Sequence, residues 1–105
     1  MRRDHNPDVI AGKINADSSL AWATEDGLSS GRTPGSGAGD YTVTMPVGFR
    51  PMSVQAINAV GNMRICTVIL SYGSTGQWTT RILQYATSGT LTDEPVFFTI
   101  VGWQQ

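Results

Sequence analysis

The sequence predicts an all-β fold, an antiparallel β-sandwich of jelly-roll or lectin-like type with seven or eight strands. Three observations predict it. Short apolar or alternating runs recur at regular spacing, the segments between them are rich in Gly, Asn, Asp and Ser, and nothing in the chain carries apolar residues at helical period. At 105 residues the chain is expected to form one domain, and a domain of that size buries roughly 60 to 70% of its unfolded surface without needing staples.

Residues 1–8 read as a polar N-terminal arm, interrupted by Pro7, with too little apolar content to order itself. The sandwich domain is expected over residues 9–105. A first strand over residues 9–14 is ended by Asn15, Ala16, Asp17, Ser18 and Ser19, which is turn chemistry, and residues 20–24 return as the second strand of a hairpin. Glu25, Asp26 and Gly27 make another turn before a short strand over residues 28–33. The Gly-rich residues 34–40 form a tight connection, because patterning resumes at once: Tyr41, Val43 and Met45 should face the core, and Thr42 and Thr44 should face water or a partner.

Pro46 and Pro51 bracket Phe49. Prolines interrupt ladder pairing, so the chain should bend here between sheets, with Phe49 plugging the end of the sandwich. Strands follow over residues 52–60, 63–72 and 77–85, with turns at Gly61 and Asn62 and at residues 73–76. The second is expected to be the longest strand and apolar on both faces, with Ile65 and Ile69 opposing Cys66, Val68 and Leu70. A polar loop over residues 86–94 has one candidate for burial, Leu91.

The last strand, residues 95–103, is the one around which the others must be arranged. Val96, Phe98 and Ile100 point to one side and Phe97, Val101 and Trp103 to the other, since side chains alternate along a strand. Such a strand would be an aggregation site at an open edge. It should therefore be central, with one face in the core and the other covered by a further subunit or sheet.

Composition narrows the function. A net charge of −1 gives no basic footprint for nucleic acid or anionic membrane. No apolar stretch is long enough for a membrane-spanning helix, and residues 1–7 lack the apolar run of a signal peptide. The single Cys66 cannot form an intrachain disulfide, and a core thiol is its expected role. His5, the sole histidine, lies in the arm, so neither a Ser-His-Asp triad nor a zinc site of ordinary ligand spacing is expected, and no cofactor is implied. The Gly-rich run has no following Lys and no βαβ context, which argues against phosphate or dinucleotide binding. Glu25 with Asp26 and Asp93 with Glu94 are adjacent acid pairs; Ca²⁺ binding by several copies around a symmetry axis is one reading and solvated loop acids the commoner one. All the acids fall in the arm or in expected turns, which leaves a glycosidase without rigid support for its carboxylates. The chain is expected not to be an enzyme.

Trp78, which leaves a turn, and Tyr85 are the candidate ligand-binding aromatics. Phe97, Val101 and Trp103 on the outer face of the last strand are candidate subunit-interface residues. Arg81, mid-strand, joins them because burying it unpaired would be costly.

The order of motifs resembles a family of phage and prophage fibre-tip domains and is similar to H-type lectin-like sandwich modules. The matching phrases are residues 11–17, Arg32 with the Gly-rich stretch into residues 39–46, Phe49, Pro51, and residues 98–103. The resemblance implies a homotrimeric, non-enzymatic knob in a virion, assembled in the host cytoplasm, that touches host-surface carbohydrate. Fibre proteins carry a long shaft before the knob, whereas here about eight residues precede the first strand. That difference points to docking on another virion protein through residues 1–8, or alternatively to a decoration protein that cements the capsid.

Overall fold

The computed structural model describes residues 7–73 and 76–104. Among them are eight strands and no helix: β1 (Asp8–Ile14), β2 (Leu20–Ala23), β3 (Ser29–Arg32), β4 (Asp40–Thr44), β5 (Phe49–Asn58), β6 (Arg64–Tyr72), β7 (Trp78–Ala86) and β8 (Val96–Gln104). They make two four-stranded antiparallel sheets, ordered β2-β1-β8-β5 and β3-β4-β7-β6. The expected sandwich is therefore the fold. Residues 1–6, most of the arm, lie outside the described residues, and Asp8 already pairs with Gly102.

The core is filled from the inward halves of both sheets. Ile10 and Ile14 of β1, Val96, Phe98 and Ile100 of β8 and Phe49 of β5 meet Tyr41 and Val43 of β4, Met45 just beyond it, and Ile82 of β7. The alternation read in residues 41–45 holds, because each face of β4 meets one environment. β8 is central as expected, flanked by β1 and β5. Its Gly102 has no room for a side chain: a Cβ there would stand 2.2 Å from the Arg50 carbonyl oxygen.

Two expectations change. Residues 46–51 do not interrupt pairing throughout, since Phe49 and Arg50 already pair with Gln104 and Trp103. The register shifts between Pro51 and Ser53, so a bulge absorbs the proline and the strand continues. β5 is consequently the longest strand, at ten residues, and β6 has nine. β6 also stands at a sheet edge, and no residue along it is fully buried within one chain.

Not all acids are in turns. Asp40 opens β4 and is 2% exposed. Arg81 of β7 meets it through Nε at 2.9 Å and Nη2 at 2.6 Å, a two-pronged contact that suits a guanidinium and a carboxylate. Arg81 therefore has its counter-charge within the chain, which removes the reason given above for placing it at an interface. Its hydrogen bond holds the Asp40 carboxyl down to about 2 against the opposing effect of burial. Thr80, on the inner face of the same strand, is fully buried, and its hydroxyl has no hydrogen-bond partner among the described residues.

A buried hydroxyl without a partner costs about 1 kcal/mol or more. Thr80→Val, which keeps the shape, should raise stability in urea by about 1 kcal/mol; a loss would show that the hydroxyl is satisfied. Because the folded Asp40 pKa lies below the unfolded value of 3.8, its stabilisation is complete above that value and disappears as pH falls through about 2. The shift corresponds to about 2 kcal/mol. Asp40→Asn should lower stability at pH 7 and flatten its decline between about pH 5 and pH 2, whereas parallel curves for the two proteins would contradict the assignment.

Candidate functional site

One end of the sandwich is held by the two acids of the crossover between β7 and β8. Neighbouring side chains of an extended segment point opposite ways, and here they reach opposite edges of one sheet. Asp93 Oδ1 accepts from Arg32 of β3 at 2.6 Å, from the Gly39 N–H at 2.7 Å, and lies 3.1 Å from the Tyr41 hydroxyl. Glu94 accepts from Arg64 of β6 at 2.7 Å and from the side-chain amides of Asn58 and Asn62 at 3.0 and 2.6 Å. Partial burial works to raise both carboxyls, but these donors outweigh it and hold both below their ordinary values. Tyr41 is pushed up to about 12, by burial first and then by the charge of Asp93. Gly39 has a φ of 72°, and a Cβ there would stand 2.5 Å from the Thr92 nitrogen, so only glycine suits the approach of this crossover.

This clamp changes what the acids can do chemically. The Asp93 and Glu94 oxygens already serve two ion pairs within the fold, and each is turned to a different arginine. Among the described residues no group of three or more His, Cys, Asp and Glu could hold a metal ion. Glu25 and Asp26 lie on the exposed turn between β2 and β3. His5 lies outside the described residues. Cys66 is half-buried, and burial pushes its thiol pKa up, away from the reactive thiolate.

The other end is aromatic. Trp78 begins β7 and packs against the core from its margin. The Tyr72 ring meets it edge-on at 5.3 Å, and the Arg50 guanidinium lies 6.0 Å from its centre. Arg50 is in turn the register partner of Trp103. Trp78 is thus a partly covered ring between two neighbours, and Tyr72, 63% exposed, is the ring this end offers to solvent. Tyr85 does not join them. It sits at the far end of β7 and on the opposite face, bridged to Leu91, so one small ligand does not touch both.

Phe97, Val101 and Trp103 share one face of β8, the outer face of the β2-β1-β8-β5 sheet. A row across that sheet reads Trp22, Lys13, Phe97, Ile57. The rings of Trp22 and Phe97 are 6.5 Å apart, and Lys13 Nζ lies 5.9 Å from the centre of Phe97. Arg81 belongs to the outer face of the other sheet, so these four candidates do not form one surface.

Sequence reasoning named residues 63–72 as apolar on both faces but not the exposed apolar side chains that precede them in the chain. Residues 51–80 contain one charged side chain, Arg64, and it is neutralised by Glu94. Met52, Ile57, Val60, Met63, Ile65, Ile69 and Tyr72 all stand out from this run, between 47% and 79% exposed. A cavity of about 500 Å³ lies along it, lined by residues 54–57 of β5, Cys66 and Val68 of β6, and Phe97 and Thr99 of β8. The missing charges were the available signal, since an ordinary soluble domain has about one charged residue in four. No family model, curated protein or solved structure matches this chain.

Proposed function

We propose that this chain is a non-enzymatic structural subunit that works by self-association, as a homotrimeric β-sandwich knob at a fibre or spike tip or on the head of a phage virion. The virion setting rests on the resemblance of the sequence phrases to those of fibre-tip domains. Association is supported by one observation above the others: the uncharged residues 51–80 with their exposed apolar side chains. A surface of that kind is uncommon on a protein that works alone.

In this role the sandwich is a scaffold and the chemistry is contact. The aromatic end, with Tyr72 exposed beside Trp78 and Arg50, has an apolar ring face and a cation, which suits stacking on a pyranose ring of a host-surface glycan. Three weak sites on one trimer would gain avidity without any new contact.

Sedimentation of the purified chain should give a species of three times 11.3 kDa, and a monomer at micromolar concentration would remove the reading. A glycan array should then show binding that Tyr72→Ala abolishes. A trimer that binds no sugar at millimolar concentration, and whose absence leaves heads that burst on heating, would make the protein a capsid decoration protein instead.

A further inference from the structure

We infer that the cavity along β5 and β6 binds the apolar tail of a free acyl carboxylate, with Lys13 at its margin taking the carboxylate, a role that goes beyond self-association and does not depend on it. β5 and β6 belong to different sheets, so the cavity, about 500 Å³, is bounded by both. That volume is in the range of small-molecule sites, which are mostly apolar with a few polar groups that orient the ligand. Six of the eight lining side chains meet the first requirement: Val54, Ala56, Ile57, Cys66, Val68 and Phe97. Gln55 and Thr99 supply an amide and a hydroxyl.

Phe97 joins this cavity to a cation. Its register partner on β1 is Lys13, whose Nζ lies 5.9 Å from the centre of the ring, with Trp22 next in the same row. Lys13 is half-buried, and among the described residues it has no ion pair and no hydrogen bond. Arg32, Arg64 and Arg81 each hold an acid. Arg50 does not, but it lies at the far end of β5, over Trp78. The acids that flank the row along the chain are already engaged: Asp17, in the turn after β1, accepts from Ser19, and Glu94, just before β8, is bound to Arg64. The row of Trp22, Lys13, Phe97 and Ile57 therefore carries one positive charge that the chain does not balance, and the apolar cavity begins at the same ring.

The occupant follows from the two features together. A half-buried ammonium attracts a carboxylate more strongly than one in open water, because the surroundings screen it less. An alkyl tail gains by leaving water for the cavity in proportion to the apolar area it buries. A sugar would strand hydroxyls without partners against Val54, Ala56 and Val68, and a neutral hydrocarbon would leave Lys13 unused.

The test uses octanoate as the probe and the thiol of Cys66, the chain's single cysteine, as the reporter, because it lines the cavity. Saturating octanoate should slow alkylation of Cys66 by iodoacetamide about tenfold, with half-protection below millimolar concentration. A cooperative urea transition in its presence verifies that the chain stays folded. Methyl octanoate, the same tail without the charge, and acetate, the charge without the tail, should need concentrations about tenfold higher or more for equal protection. Lys13→Met should weaken octanoate about tenfold and leave methyl octanoate unchanged, and Lys13→Arg should restore the binding. Octanoate that leaves the alkylation rate unchanged up to millimolar concentration, that protects Lys13→Met as well as the wild type, or that is matched by methyl octanoate overturns the inference.

Discussion

The crossover from β7 to β8 is the constraint on which the rest of the sandwich depends. β8 is the last strand of the chain and the central strand of its sheet, so its register must be right against β1 and β5 at once. Asp93 and Glu94 set the point at which the chain leaves one sheet for the other. They are drawn to Arg32 at one edge strand and Arg64 at the other. The pull in two directions prevents the segment from sliding along the end of its sheet, and Val96, the next strand's first inward residue, enters a core position that is fully buried. A one-residue slip would turn Phe97 inward and Phe98 outward.

The same network ties the β5–β6 connection to the crossover. Asn58 is buried at the end of β5, donates to Gln84 and Glu94, and accepts from the backbone N–H groups of Val60 and Asn62. The hairpin that crosses between the sheets on the uncharged side is thereby held rigid at one end. At the other end Tyr72 meets Trp78 edge-on and Arg50 lies over the Trp78 ring.

Much of the fold was legible in the sequence because strand alternation reports burial directly where the two faces of a strand differ. Tyr41, Val43 and Met45 show it, as do Val96, Phe98 and Ile100, all six buried. Long-range pairing was not legible. Arg81 and Asp40 are 41 residues apart and Arg32 and Asp93 61 apart, and only the order of strands brings them together. The same limit explains β6. Apolar residues on both faces suit a central strand and an edge strand awaiting a partner equally well. Its place beside β7 alone decides between them. Pro51 misled for a local reason: a bulge removes the need for its missing N–H. The candidate ligand and interface residues were scattered over both ends and both outer faces, because exposure of an aromatic depends on neighbours that the sequence does not order.

The central claim is that the crossover from β7 to β8 is held by Asp93 and Glu94 pulling on arginines at opposite edges of one sheet. Urea unfolding of Asp93→Asn beside the wild type tests it most directly. The variant should unfold at a clearly lower urea concentration, and with a cooperative transition. A midpoint equal to that of the wild type would contradict it.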